Sequence, residues 1–352
     1  MRTALITGVT GQDGSLLARL LLERGYRVTG TMRQARSEPG ASLWRLRELG
    51  IERHEQLSFR PFELLDATAP RSLIDEVQPE EVYNLAGRSS VGASFGEPLL
   101  SLQADGAAPL RWLQAIRESG AKARFLQTSS SEMFGQPPGT PQDEDTPLRP
   151  RTPYGAAKAY AHWMTVSYRE VHGLFACSAI LYNHESPYRG AEFVTRKITD
   201  AVAKIRLGTL DCLHLGWLDA RRDWGYAPEY VDAMVRIMRA DAAGTFVLAT
   251  GRSASIRDFA TMAFAAAGIG IDFRGSGPEE TAFDRGSGRT VIRVDRNLLR
   301  PAEPMQLVGN AARAKAVLAW EPKVSLERIC AEMVEADLRR NSTRIRSELS
   351  KA

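Results

Sequence analysis

At 352 residues, 43% apolar and 25% charged, the chain has a soluble globular composition and more length than one hydrophobic core usually serves. A formal charge of +4, spread along the chain, argues against a nucleic-acid surface and for an anionic small ligand. No apolar run approaches the roughly 18 residues needed to span a bilayer, so no membrane partner is expected.

The first strand is predicted at Thr3-Ala4-Leu5-Ile6. That leaves no room for a signal peptide ahead of it, and a cytoplasmic setting is expected. Gly8, Gly11 and Gly14 follow, in Thr7-Gly8-Val9-Thr10-Gly11-Gln12-Asp13-Gly14, and a helical pattern begins with Leu16-Leu17. Strand, glycines and helix in this order permit a tight turn, close approach of backbone to a pyrophosphate, and a helix N-terminus facing its charge. The spacing is GxxGxxG rather than GxGxxG, and a dinucleotide is the expected ligand. The next strand, from Tyr26-Arg27-Val28, leads to Thr31-Met32-Arg33-Gln34-Ala35-Arg36. No carboxylate stands there to accept from a ribose 2′-hydroxyl, whereas Arg33 and Arg36 suit a 2′-phosphate, so NADP is preferred to NAD.

Further strands are predicted near Leu57 to Phe62, at Glu81 to Leu85 and at Ala123 to Thr128, separated by helical patterns at Ala69 to Val77 and Leu99 to Ile116. This alternation predicts an α/β fold: a Rossmann-type doubly wound parallel sheet with a smaller interleaved C-terminal α/β domain. Leu126-Gln127-Thr128-Ser129-Ser130-Ser131-Glu132 ends the fifth strand, where Ser130 and Glu132, two apart in an extended segment, would share a face. Tyr154 and Lys158 then open a helical run to His172. Four residues apart, they share a helix face, so the ammonium lowers the phenol's pKa toward working pH. A hydroxyl beside Tyr154 suits hydride exchange at a carbinol, and a carboxylate adds proton abstraction. Met164, Trp163 and Tyr168 on the same helix are read as core or subunit packing.

Beyond about Ala179 the pattern loosens into Gly-, Pro- and Arg-rich loops at 183–194, 275–290 and 299–306, of which 275–290 is expected to be the most mobile. Cys177, Cys212 and Cys330 form neither a disulfide framework nor a metal pair. His54, His162, His172, His184 and His214 show no ligand spacing, so no metal is expected. Arg339, Arg340, Arg344 and Arg346 read as a solvated helix end.

Several segments resemble the GDP-mannose 4,6-dehydratase family of extended short-chain dehydrogenases: residues 7–14, Tyr83 to Ala86, Val91 to Phe95 and Pro153 to Lys158. Asn183-His184-Glu185-Ser186-Pro187, Phe193-Val194-Thr195-Arg196-Lys197, Arg222 to Gly225 and Arg300 to Glu303 extend the similarity from residue 3 to about 338. The last segments are the more specific ones, because the glycines and the Tyr/Lys pair occur in many sugar-nucleotide enzymes. The resemblance implies a lyase that oxidises a GDP-hexose at C4, eliminates water across C5 and C6, and returns hydride to C6. Tyr154, with Lys158, would start the oxidation, Glu132 would act at C5, and Ser130, where the family has threonine, would assist loss of the C6 hydroxyl. Gly8, Thr10, Gly11, Gln12, Asp13, Gly14, Arg33, Arg36, Glu63, Leu64, Leu85, Ala86, Gly87, Ser89, Lys158, His184 and Arg189 would contact NADP. Arg88, Ser90, Asn183, Glu185, Val194, Lys197, Arg222, Arg300 and Glu303 would hold the GDP-sugar.

The implied domains are residues 1–180 for NADP, with parts of about 217–250 joining the sheet, then 181–216 and 251–340 for the sugar nucleotide, and a tail at 341–352. A homodimer or homotetramer, formed through helices near 100–118 and 154–172, is also implied. The family commonly has Ala-Gln at Gly87-Arg88, aspartate at Glu63, and phenylalanine and histidine at Tyr182 and Tyr226. These departures bear on the sugar more than on the reaction, and a GDP-heptose is an alternative substrate. A GDP-4-keto-6-deoxymannose reductase would use Ser130, Tyr154 and Lys158 without needing Glu132. A non-catalytic NADP-binding regulator would not need to retain Tyr154, Lys158 and Glu132.

Overall fold

A computed structural model of the protein describes residues 1–33, 43–299 and 306–349. Arg36, Arg300 and Glu303 lie outside the described residues. The chain divides into two compact units: Met1–Asn183, Ala227–Gly251 and Leu307–Pro322 form the first, and His184–Tyr226, Arg252–Gln306 and Lys323–Ala352 the second.

The first unit is built on a seven-stranded sheet. Its strands are β1 (Thr3–Thr7), β2 (Arg27–Met32), β3 (Leu57–Pro61), β4 (Glu81–Asn84), β5 (Arg124–Ser130), β6 (Ala176–Leu181) and an edge strand, Thr245–Leu248. The spatial order is edge strand, β6, β5, β4, β1, β2, β3, and every neighbouring pair is parallel. Strands buried on both faces read as continuous apolar runs: Ala4, Leu5, Ile6, Val82, Tyr83, Phe125 and Leu126 are all buried. Helix α1 (Gln12–Glu23) and the helix Ala227–Arg239 pack together, as do Ala69–Val77 and Ala108–Ser119. Phe62, Leu73, Ile74, Trp112, Leu113 and Ile116 fill one core cluster with Leu5, Val82 and Phe125. Each such large apolar side chain contributes roughly 1.5–3 kcal/mol on burial. Met164 and Tyr168 pack against this cluster, whereas Trp163 stays 55% exposed.

The strand order reverses at β1 and β4, which lie side by side, so their C-terminal ends border the crevice where open α/β sheets take ligands. Glycines, loops and helix starts that follow these strands therefore converge there.

The second unit has its own core. The helices Val194–Arg206, Ile256–Ala266 and Leu326–Leu349 and the four-stranded sheet Ile271–Arg274, Thr281–Asp284, Thr290–Val294, Leu213–Leu215 carry its apolar cluster. The expected loop at 275–290 is largely an antiparallel hairpin. The short alternation Thr281-Ala282-Phe283 suffices to bury Ala282, and Asp284 closes the turn by accepting from Gly286 N at 2.9 Å and Ser287 Oγ at 2.5 Å.

Residues 227–251 join the first unit, from the stretch of about 217–250 expected to contribute parts to the sheet, and so do 307–322, which the sequence reading places in the second. The latter placement follows from pairing: Gln142 N donates to Val308 O, Val308 N to Gln142 Oε1 and Trp320 Nε1 to Glu229 O. The expected tail is helical as far as Leu349. Exposed i,i+4 pairs Arg339–Glu335 and Arg344–Glu348 lie along it in the spacing that favours a helix. Arg340 turns inward instead, donating to Pro187 O at 2.7 Å.

Candidate active site

The turn after β1 is held from both sides. Thr7 Oγ1 accepts from Leu85 N and Ala86 N, each at 2.9 Å, and donates to Asn84 Oδ1. One hydroxyl thus ties the ends of β1 and β4 and sets residues 85–86 beside Gly8. A Cβ on Gly14 would stand 2.3 Å from Gly8 O, so only glycine lets α1 start this close to the turn. Gly11 caps α1 without a side chain over its N-terminus, and Gln12 and Asp13 join through Gln12 Nε2 to Asp13 Oδ1 at 3.1 Å. A pyrophosphate fits such a helix start: backbone N–H groups, a positive dipole end and a cap residue without a side chain. Thr10, partly exposed, offers its carbonyl to Arg45 Nη1 at 3.0 Å. Sequence reasoning missed Arg45, although it is one of two arginines in the short helix Trp44–Glu48, and the other, Arg47, pairs with Glu52. Arg33 is exposed just past β2, and Glu63 and Leu64 follow β3, the former exposed and the latter partly buried.

The catalytic candidates come together through β5 and the helix Pro153–His172. Thr152 caps that helix, accepting from Gly155 N at 2.9 Å, and Pro153 occupies its first turn. Tyr154 and Lys158 are both 7% exposed. Lys158 Nζ donates to Thr128 O at 2.9 Å and lies 5.8 Å from the Tyr154 ring centroid. Burial pushes the lysine's pKa down, and the carboxylate of Asp105 opposes that shift. Further along the helix, His162 Nδ1 sits 2.8 Å from Ser178 Oγ on β6, anchoring helix to sheet. Burial pushes this imidazole down to about 4, so it is neutral at ordinary pH.

Ser130 and Glu132 are near each other, but not as residues of one extended face. The strand ends at Ser130 and a 3₁₀ turn, Ser131–Met133, begins. Ser130 Oγ accepts from Glu132 N at 3.2 Å, the cap that favours the turn over continued strand. A Cβ on Gly155 would lie 2.5 Å from Glu132 O. The absence of a side chain there lets the first turn of the helix close onto Glu132, one residue from Tyr154.

Residues 85–90 run from β4 past this group. Leu85 and Ala86 are partly buried, while Gly87 and Ser89 are exposed. Ser90 caps the turn Val91–Gly96, accepting from Ala93 N at 3.2 Å. The guanidinium of Arg88 pairs with Glu97, and its backbone N–H donates to Asp105 Oδ1 at 2.8 Å. Sequence reasoning missed Asp105. Nothing in the flanking Leu102-Gln103-Ala104-Asp105-Gly106 marks it, because the residues that give it meaning, Gly87 and Lys158, lie far away in sequence.

In the second unit Glu185 is 1% exposed, with Thr195 Oγ1 at 2.5 Å and Arg189 Nε at 3.1 Å from Oε2. These contacts join Glu185 to the helix Val194–Arg206 and to Arg189, whose guanidinium stacks on Phe193 at 3.6 Å. Val194, at the start of its helix, is partly buried and packs against the apolar cluster. Lys197 is partly buried, which pushes its pKa down, with Asp295 opposing. Arg222, partly buried, donates to Arg221 O at 2.8 Å. His184 is buried, and Asn183, where the first unit ends, is partly buried. The two unusual tyrosines serve packing: Tyr182 donates to Gln142 Oε1 in the first unit and Tyr226 to Glu332 Oε2 in the second, both at 2.8 Å. Among the described residues no group of three or more His, Cys, Asp or Glu could hold a metal.

Residues 5–333 match the family model described as GDP-mannose 4,6 dehydratase. The chain is 43% identical over 350 residues to the GDP-mannose 4,6-dehydratase of Yersinia enterocolitica, covering 96% of this chain and 94% of that one. It belongs to the GDP-mannose 4,6-dehydratase family. The human GDP-mannose 4,6 dehydratase is also 43% identical, over 340 residues, covering 95% of this chain and 91% of its own. A solved dTDP-glucose 4,6-dehydratase from Bacillus anthracis, in complex with NAD, superposes with a TM-score of 0.78 at 17% identity, covering 97% of this chain and 98% of that one. RMD from Pseudomonas aeruginosa, complexed with NADPH, gives 0.74 at 21%, covering 97% and 100%. At those identities the two structures show the shared fold. As a member of the family, the chain is a sugar-nucleotide dehydratase. No helix among the described residues is long and apolar enough to cross a membrane.

Proposed function

We propose that the protein converts GDP-mannose to its 4-keto-6-deoxy product, with NADP bound at the turn after β1 and regenerated in each cycle. The observation that carries this reading is Glu132, held by Ser130 Oγ and Gly155 beside Tyr154 and Lys158, in a chain 43% identical to dehydratases along nearly all its length. A reductase needs the tyrosine and lysine but has no task for that carboxylate.

Gly8, Gly11, Gly14 and the start of α1 would hold the pyrophosphate, with Arg33 and Arg45 near the 2′-phosphate and Lys158 on the nicotinamide ribose. The bound nicotinamide supplies a hydride acceptor for sugar C4 and a hydride source for C6. Tyr154 takes the proton of the C4 hydroxyl as that carbon becomes a ketone. The ketone acidifies the hydrogen on C5, and Glu132 removes it. The C6 oxygen departs beside Ser130. Of the two protons taken, one leaves in water and one returns to C5 through Glu132, so the protein ends the cycle unchanged. Lys197 and Arg222 supply cations for the diphosphate in this reading, and Arg189 for the cofactor.

GDP-mannose carrying deuterium at C4, incubated with catalytic NADP, is expected to yield product with deuterium at C6 and no accumulated NADPH, and a parallel reaction with NAD to run more slowly. Product without label at C6 defeats the mechanism. Equal rates with both cofactors defeat the NADP assignment.

The protein is also expected to be a homodimer or homotetramer. Leu99 is 75%, Trp163 55% and Tyr160 40% exposed on the Pro98–Ser119 and Pro153–His172 segments, an apolar surface that a monomer would leave in water. A monomer at micromolar concentration in sedimentation velocity would refute this.

A further inference from the structure

Asp105 is the least expected charge near the catalytic group. It is 1% exposed, and it sits in a π-helical turn, Leu102–Ala107, between the helical segments Pro98–Ser101 and Ala108–Ser119. Such turns are rare and often mark functional positions. One carboxylate oxygen accepts from Arg88 N at 2.8 Å, and the other from Ser101 Oγ at 3.3 Å. A Cβ on Gly87 would meet Asp105 Oδ1 at 2.6 Å and Lys158 Nζ at 3.8 Å. Gly87 therefore leaves the space through which carboxylate and ammonium face each other, at a position where the family commonly has alanine.

We propose that Asp105 is a positioning residue: it is the buried counter-charge of Lys158, and it locks the Gly87-Arg88 turn against the catalytic helix. Lys158 uses one of its three donors on Thr128 O within the described residues. Asp105 holds the charge on that ammonium without taking the other donors, which stay available to ligand and phenol. Burial pushes Asp105 up, while Lys158, the Arg88 N–H, Ser101 and the Arg88 charge oppose it; burial pushes Lys158 down, and Asp105 opposes. Among the described residues, Tyr154 on the Lys158 helix and Arg88 on the loop after β4 flank the pair, the latter already paired with Glu97.

This inference rests on the reading of Lys158 as a cofactor and catalytic group, and its test separates the two. Asp105→Asn keeps the shape and an acceptor for Arg88 N but removes the charge. NADP affinity measured against pH falls at high pH, where Lys158 loses its proton; in the variant this fall is expected about one pH unit lower. The alkaline limb of kcat moves the same way, while the KM for GDP-mannose changes less than twofold. A purely structural carboxylate would lower thermal stability and leave both limbs in place, and that result overturns the proposal. Should Asp105→Asn not fold, Gly87→Ala carries the test by pushing the carboxylate from its position: the same downward displacement supports the pair, and an unmoved limb overturns it. Wild-type protein that binds NADP but does not turn over GDP-mannose would end the dehydratase reading, while the affinity limb would still decide on Asp105.

Discussion

Replacing Tyr154 by Phe is expected to lower kcat by about 10²–10⁴-fold, a barrier increase of about 2.7–5.4 kcal/mol, with the Kd for NADP changed less than about twofold. The asymmetry follows from the site. The phenol ring is buried at 7% exposure, and phenylalanine keeps that ring, the Thr152 cap and the contact of Gly155 with Glu132 O. Lys158 keeps its bond to Thr128 O, so whatever it offers a cofactor ribose survives. Only the proton acceptor is lost. Without it the C4 hydroxyl has no partner as carbon and hydride part, so oxidation and everything after it slow together. Steady-state turnover and fluorescence titration with NADP, run on the same preparation, check both halves. Turnover within threefold of wild type would remove Tyr154 from the reaction.

Glu132→Gln is expected to interrupt the cycle at a different point. The amide keeps the backbone N–H that donates to Ser130 Oγ and the carbonyl that packs against Gly155. The amide, however, has no affinity for the C5 proton. Oxidation at C4 still proceeds through Tyr154, so reduced cofactor should accumulate toward stoichiometry with enzyme while 4-keto-6-deoxy product falls about 10²–10⁴-fold. The near-ultraviolet absorbance of reduced nicotinamide in a single-turnover mixture reads this directly. The two variants are thereby distinguished: Tyr154→Phe forms little reduced cofactor, and Glu132→Gln holds it. Product formation at the wild-type rate by Glu132→Gln would transfer the C5 step to another group.

Much of the first unit was legible in the chain because its signals are local. Ala4-Leu5-Ile6 reads as a strand buried on both faces, and the glycines at 8, 11 and 14 read as close contacts; the structure has both, with a steric reason at Gly14. The Tyr154–Lys158 relation depends only on helix periodicity and survives intact. Ser130 and Glu132 were brought together by the wrong geometry, since alternation along a strand cannot foresee that the strand stops at the first of them. Asp105 was invisible for a different reason. Its meaning depends on Gly87 and Lys158, which lie far from it in sequence, and on a π turn that carries no compositional mark. The hairpin within 275–290 was hidden because its strands are only four and five residues long and separated by glycines. Residues 307–322 follow no local cue; the hydrogen bonds of Gln142 and Glu229 assign them to the first unit.

The loop that carries Pro187 and Arg189 takes its shape from the far end of the polypeptide. Arg196 donates to the carbonyls of both residues, and Asp337 grips Arg196 through both its carboxylate oxygens, at 2.8 and 2.6 Å. Arg340 reaches the Pro187 carbonyl as well. A nascent chain therefore cannot finish this loop until residue 340 has emerged from the ribosome. Most of the protein has to be synthesised before the segment following residue 183 can settle, and a truncation that spares every candidate catalytic side chain would still leave that segment unmade.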